Sequence, residues 1–520
     1  MTVRPNRTLI KQLILSARSW LLVLSVFSCS FFLCSLTVFA NNHLKEPQSH
    51  CSDEHLKQHP QHILSCYLQK PDNNYHWRAT ETSGKTVSVA DQKQEVITHS
   101  IEMTSQRWPV GLKHPVDHPL WRHRITIYQP KKVIHDQALL FINGGQLYSN
   151  KNEPLTAKQS PNDDLDFAYI AALSQSIVVD LKDVPNQYLQ FKDHQPVKED
   201  ALVAYTWEEF LKNPEANAFM PLRLPMVKAS QRAMDAVQAF MKGQNIKINQ
   251  FVLSGMSKRG WAAWLTAAMD SRVIALAPMV ADVLNLQAAM DHHYKSYGGW
   301  APAVKDYKNV LSQLHSKPLT RLMQVVDPVH YVQNLRLPKY IISAANDDFF
   351  LPDASRYFYD DLKGDKWLRT VPNVRHYLAR MENKLITESL ASFYGLIIEQ
   401  RPIPAVHWEL QGNILKVTSS VPPESVRLWS AVNQNTRDFR LTPDNPSVKP
   451  FTAKYLTIKC NPICRTKASI ANPSNGWKAS FIEMKFANRP YKDFVVTTQV
   501  FITPDTYPSR SRFQDKKKSD

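Results

Sequence analysis

Short apolar runs alternate with longer segments of helical spacing through the middle of this chain. The runs fall at residues 138–142, 176–180, 250–254, 273–277, 339–343 and 367–371. Each is bounded by polar or turn-forming residues and has the length of a strand buried on both faces. Between them, residues 226–242, 260–269, 353–362 and 377–399 repeat apolar positions three and four apart, the spacing that presents one helix face to a core. Strands alternating with helices predict an α/β domain over 116–400, a mostly parallel sheet with helices on both faces. Two interruptions, near 181–225 and 285–335, are too long for simple connections and are rich in aromatic residues, as cap-like insertions over the sheet's active edge would be.

The pattern differs at both ends. Residues 41–115 are polar and irregular, and they read as a lead-in that adds edge strands at 95–98 and 100–103. Residues 121–128 (WRHRITIY) alternate as a half-buried strand does. After Arg401-Pro402-Ile403-Pro404 the period becomes two, at 414–418, 426–430, 455–459, 479–486 and 494–502. Turn signals at Gly412-Asn413, Pro422-Pro423 and Ser474-Asn475-Gly476 separate these runs, which predicts a β-sandwich over 401–504. Residues 505–520 are polar and charged, and a disordered tail is expected.

Composition changes the picture in three places. Charged and hydrophobic fractions of 21% and 43% are those of a globular protein. The formal charge of +17 is shared between the N-terminal leader, the tail and a thin spread elsewhere. No basic stripe interleaved with aromatics exists, so nucleic acid is not an expected partner. The leader places Arg4, Arg7, Lys11 and Arg18 before the apolar run 20–40, which ends at Val38-Phe39-Ala40 ahead of polar Asn41-Asn42. That is the layout of a signal peptide cleaved after Ala40. The run is also about 20 residues, enough for an uncleaved N-terminal anchor, and only then is a membrane expected as partner. Either way the protein is exported, periplasmic or secreted. Outside the leader lie Cys51, Cys66, Cys460 and Cys464, an even number that suggests disulfides, with the local pairs 51–66 and 460–464 as the first choice among three connectivities.

The chemistry gathers at Gly255-Met256-Ser257-Lys258-Arg259-Gly260, between the run 250–254 and the helical segment that follows. A serine on a tight strand-to-helix turn lifts its hydroxyl above the sheet edge, where the first helical N–H groups favour developing negative charge. The usual elbow is G-x-S-x-G; here Arg259 takes the second glycine's place and Gly260 comes one residue late. In α/β-hydrolases the acid and the base follow on later strand ends. Asp347, with Asp348 beside it, follows the run 339–343, and His376 follows the run 367–371. Backbone N–H groups of Lys258 and of Gly144 or Gly145, after the run 138–142, are the expected oxyanion donors. No phosphate-cradling glycine pattern is present, and no metal or organic cofactor is expected. Lys258 and Arg259 would favour carboxylate-bearing substrates if they faced the cleft, but the helix flank is their expected place.

Residues 255–285 (GMSKRGWAAWLTAAMDSRVIALAPMVADVLN) resemble the central block of the PhoPQ-activated pathogenicity-related proteins, secreted proteins of α/β-hydrolase type. VPNQYLQF (184–191), EDALVAYTWEEFL (199–211), PLRLPMVKASQRAMDAVQ (221–238), DDFFLPDASRYFYDDL (347–362) and VRLWSAVNQNTRDFR (426–440) agree, so the resemblance covers most of 75–507. It implies an α/β-hydrolase fold with a catalytic Ser257, Asp347 and His376, although Asn346 stands where a glycine would precede the acid. It also implies a link to virulence and to resistance against cationic host-defence peptides. A protein repelling such peptides by its own charge fits poorly with a pI of about 9.4. The expected function is a serine hydrolase acting on an ester or peptide bond of a small-molecule or peptide substrate. The rival expectation is a catalytically weak hydrolase-fold protein that binds or signals, with protein contacts through the C-terminal β-sandwich.

Overall fold

The computed structural model describes residues 49–109, 115–156, 159, 165–192, 194–443 and 445–509. The leader at 1–40 and the last residues of the tail, 510–520, lie outside the described residues. Two helices come first, α1 (Asp53–Gln58) and α2 (His62–Gln69), and a disulfide ties Cys51, just before α1, to Cys66 of α2. The lead-in then forms a long hairpin, β1 (His76–Val89) and β2 (Gln92–Arg107). Its turn uses Ala90 and Asp91 at φ 49° and 63°, the paired left-handed conformation that suits a two-residue hairpin. The outer strand is almost wholly exposed, so it shows no apolar period, and only β2 left a trace in the sequence.

β3 (Leu120–Pro130), β4 (Gln137–Ile142), α3 (Phe167–Ser174), β5 (Ile177–Leu181), α4 (Glu199–Lys212) and α5 (Arg223–Gly243) follow. Next come β6 (Gln250–Met256), α6 (Lys258–Met269), β7 (Val273–Met279), α7 (Leu286–Tyr297), α8 (Lys308–Leu311) and α9 (Lys317–Val326). β8 (Lys339–Ala344), β9 (Lys366–Val371) and α10 (Leu378–Ile398) complete the α/β part. The sheet runs β1-β2-β3-β5-β4-β6-β7-β8-β9, parallel from β5 to β9 and antiparallel before it. Neighbouring residues of one strand serve opposite faces: Leu140 and Leu253 pack with α5 and α6, while Leu139 and Val252 pack with α3 and α10. This is an α/β-hydrolase fold. The order reverses at β4, between β5 and β6, so the loops leaving β4 and β6 diverge and open a crevice at the strands' C-terminal ends. α4 lies in the first long insertion and α7, α8 and α9 in the second; residues from both line that crevice.

The C-terminal strands are β10 (Val406–Gln411), β11 (Ile414–Ser419), β12 (Ser425–Asn433), β13 (Thr452–Tyr455), β14 (Lys459–Cys460), β15 (Cys464–Ser469), β16 (Trp477–Phe486), β17 (Phe494–Thr497) and β18 (Phe501–Thr503). One sheet is β10-β11-β15-β14, with Cys460 and Cys464 joined by a disulfide across its tip. Its Leu415 and Val417 share an apolar cluster with Val426, Ile482 and Met484 of the other sheet, as the two layers of a sandwich do. The other layer is no separate sheet. It continues the hydrolase sheet, because β17 pairs with β9 at Thr497 and Leu368.

Four local expectations are corrected. The run 494–502 is two strands, β17 and β18, each paired with a different part of β16. Residues 353–362 make only a short 3₁₀ turn, Ala354–Tyr357, instead of a helix. Asp353, placed to cap that helix, gives its carboxylate to buried Arg437 at 2.7 Å and to His292 at 3.1 Å. Residues 455–459 do not form one strand, since the chain leaves β13 at Tyr455 and enters the other sheet at Lys459. Residues 505–509 are docked: Asp505 pairs with Arg356 at 2.7 Å, and Trp477 Nε1 donates to Thr506 O at 2.9 Å. Among the described residues no helix is long and apolar enough to cross a membrane.

Candidate active site

β6 ends in a turn that only small residues can make. A Cβ on Gly255 would lie 2.9 Å from the backbone of Arg259, and one on Gly260 would lie 2.7 Å from Gly255 O and 2.8 Å from Ala281 Cβ. Gly260 therefore provides the close helix–strand approach, and position 259 is free to carry a long side chain. Ser257 sits at φ 54° and ψ −124°, a conformation costing a non-glycine residue about 1–3 kcal/mol. Its N–H donates to Met279 O at 2.8 Å and its carbonyl accepts from Trp261 N at 2.9 Å, which holds the strained residue in place.

The loops after β8 and β9 bring the other two side chains to the same point. His376 Nε2 lies 2.8 Å from Ser257 Oγ, and His376 Nδ1 lies 2.8 Å from Asp347 Oδ2. Asp347 is buried, and its Oδ1 also accepts from the N–H groups of Phe349 and Phe350, at 2.7 and 3.1 Å. Those bonds fix the carboxylate against the imidazole. Asp348 points elsewhere, to the Arg375 guanidinium at 3.0 Å. Behind this pair lies Asp282, buried and accepting from Ser343 Oγ at 3.0 Å. Burial first, and then the neighbouring Asp347 charge, push its carboxyl up to about 7. In the sequence Asp282 carries no signal beyond lying after a strand.

The loop after β4 faces Ser257 across the crevice. Asn143 Nδ2 donates to Asp180 at 3.0 Å, which turns its Oδ1 toward Gly144, whose N–H donates to it at 2.8 Å. Gly144 is thus engaged within the loop. Among the described residues the N–H of Gly145, at φ 129°, has no acceptor, and neither has that of Lys258 at the start of α6. Both residues line the cavity beside Ser257. A φ of this value is open to glycine and strained for any other residue.

Lys258 and Arg259 both face this cavity, against the expectation that they lie on the helix flank, yet both are neutralised. Lys258 Nζ lies 2.9 Å from Glu199 and 3.2 Å from Asp200. Arg259 makes two bonds to Glu199, at 2.6 and 2.8 Å, and donates to Val184 O at 2.6 Å. Burial alone would raise the Glu199 carboxyl; the two cations and hydrogen bonds from Arg259 and Gln187 hold it well below the usual range. Gln187 Nε2 also donates to Gly145 O at 2.6 Å, so one amide links the cap helix to the glycine loop. An acidic pair opening a helix looks like any N-terminal charge in the sequence, and nothing there announces these contacts.

Two spaces meet at Ser257. One, of about 290 Å³, is polar and lined by the glycine loop, Lys198, Tyr377 and Arg380. The other, of about 70 Å³, is apolar and runs under the cap between Trp207, Trp261, Leu286, Met290 and Val310. Phe349 borders both and packs 4.5 Å from the His376 ring. Among the described residues no group of His, Cys, Asp or Glu side chains is placed to hold a metal ion. The arrangement can activate a serine, receive an oxyanion and divide a substrate between two spaces.

The family described as "PhoPQ-activated pathogenicity-related protein" matches residues 64–440. Autocrine proliferation repressor protein A of Dictyostelium discoideum is 32% identical over 471 residues, covering 86% of this chain and 91% of that protein. Among solved structures, acetyl xylan esterase 1 from Thermoanaerobacterium sp. JW/SL YS485 has a TM-score of 0.40 and 13% identity over 66% of this chain and 94% of that one. Glucuronoyl esterase from Solibacter usitatus has a TM-score of 0.34 and 11% identity over 64% and 92%.

Proposed function

This chain belongs to the PhoPQ-activated pathogenicity-related protein family, and from that premise we propose that it is a serine hydrolase cleaving an ester or peptide bond. The observation that carries the reading is the unbroken run of hydrogen bonds from buried Asp347 through His376 to the strained Ser257. In this reading His376 Nε2 takes the Ser257 proton as Oγ attacks the carbonyl carbon. Asp347 holds Nδ1 protonated and stabilises the imidazolium. The N–H groups of Lys258 and Gly145 receive the oxyanion, with Gly145 preferred because the N–H of Gly144 is already bonded. His376 then returns the proton to the leaving group, and water releases the acyl group from Ser257 by the same steps in reverse.

Export completes the proposal: a leader cleaved after Ala40, disulfides that persist outside the cytoplasm, and a place in virulence and resistance to cationic host-defence peptides. One observation favours a second reading. A relative matched over most of its length is named for repressing proliferation, as a signalling protein would be. A fluorophosphonate probe separates the two. Wild type is expected to be labelled, and Ser257→Ala to lose the label entirely while melting at the same temperature. A folded wild type that takes no label would leave the signalling reading standing.

A further inference from the structure

Among the described residues, Arg223 is the one cation lining the apolar space under the cap that has no carboxylate at ion-pair distance. It is 1% exposed. Its guanidinium stacks on Trp261, 4.4 Å from the ring, and its one hydrogen bond goes to the Met226 sulfur at 3.2 Å, a weak acceptor. Among the described residues its Nε has no hydrogen-bond partner. It also occupies the first position of α5, where the helix dipole disfavours positive charge. Burying a cation without an ion pair is costly, and packing against one indole offsets only part of that cost. Burial lowers its pKa only to about 10, so it stays charged at neutral pH. Nearby, Lys258 and Tyr307 already occupy both oxygens of Asp200.

We propose that the space under the cap is an acyl pocket for a carboxylate-bearing acyl group, with Arg223 at its end pairing with that carboxylate while Ser257 attacks the scissile carbonyl at its mouth. Ser257 and Arg223 line the same space, and its remaining walls are apolar and aromatic. A volume of about 70 Å³ holds on the order of five non-hydrogen atoms, the size of a two-carbon chain ending in a carboxylate. The substrate class is then an ester or amide of a short dicarboxylic acid, or of an acidic amino acid. Such a carboxylate would pair with the guanidinium edge, whose donors otherwise meet only the Met226 sulfur. In the reaction the acyl carbon–oxygen bond breaks as the bond to Ser257 Oγ forms. The serine proton leaves with the alcohol through His376, and water then frees the dicarboxylate.

The inference rests on the hydrolase reading, and the test separates them. The probes are monobenzyl succinate and benzyl 4-methylpentanoate, which share a shape and differ in charge. Calorimetry of Ser257→Ala with monobenzyl succinate is expected to show 1:1 binding that Arg223→Met weakens at least tenfold. Benzyl alcohol release by wild type is expected to favour the succinate at least tenfold in kcat/KM, Arg223→Met to reverse that order, and Arg223→Lys to retain part of it. Arg223→Met is also expected to melt higher than wild type, because it removes an unpaired buried charge. Equal affinity in both calorimetric arms, an unchanged ester preference, or a lower melting temperature for Arg223→Met overturns the pocket. Arg223-dependent binding without hydrolysis of either ester supports the pocket and sinks the hydrolase reading. Hydrolysis of both esters at rates indifferent to Arg223 does the opposite.

Discussion

Asp347 and Asp348 are adjacent in the chain and alike in chemistry, yet they do different things. Asp347 meets His376 and two backbone N–H groups, whereas Asp348 is held by Arg375. Asp347→Asn is therefore expected to lower turnover by about 10³–10⁴, since the amide cannot hold the imidazole in the required tautomer. Asp348→Asn should change turnover less than about tenfold, and steady-state rates on one ester decide between them; the reverse ranking would move the acid to Asp348. Asp282 makes a different prediction. Its carboxyl is raised from 3.8 to about 7 in the folded protein, so between those values the folded state holds a proton that the unfolded state has lost. Stability from this group therefore falls as pH rises through that window. The melting temperature of Asp282→Asn minus that of wild type should grow from about pH 4 to 7 and then level off. A difference that stays flat or shrinks with rising pH would falsify the assignment.

The elbow shows how an element can depart from a consensus and keep its geometry. G-x-S-x-G places its second glycine where the helix crosses the strand. Here that crossing falls on Gly260, and Arg259 reaches away to Glu199 and Val184 O, beside Gly144. Restoring the consensus with Arg259→Gly should therefore damage the site. It would leave Glu199 short of its strongest partner and loosen the link among elbow, cap and glycine loop. The expected result is a fluorophosphonate labelling rate lower by at least tenfold, and an unchanged or faster rate would show the tie to be dispensable. Residues 353–362 carry the converse lesson. Their helical spacing was genuine, but Asp353 is drawn into the Arg437–His292 cluster and the helix loses its cap.

At the scale of the whole molecule, the C-terminal strands are an extension of the hydrolase sheet. β17 covers the edge of β9, Tyr340 OH donates to Val495 O at 2.6 Å, and the Tyr491 ring packs directly over Gly395 of α10. A chain ended at Pro404 would expose that edge and the apolar face of α10. It is expected to aggregate on expression, and sedimentation checks this; a soluble, folded, monomeric fragment would show that the extension is not required.

By itself the sequence determined the features that rest on local period and chain order. Six buried strands left short, mostly apolar runs, the turn before α6 left its glycines, and Ser257, Asp347 and His376 follow one another at strand ends. These signals survive because a strand buried on both faces must be apolar along its length, and a tight crossing excludes side chains. Tertiary structure alone decided which of two neighbouring residues meets a given partner. Gly145 rather than Gly144 presents an open N–H, Asp347 rather than Asp348 reaches His376, and, among the described residues, Arg223 rather than Lys258 or Arg259 has no carboxylate at ion-pair distance. Those choices turn on ångström-scale placement of loops from distant parts of the chain, and residue type at one position does not encode it. The exposed strand β1 and the docking of residues 505–509 were hidden for a related reason: their partners, not their own composition, hold them in place.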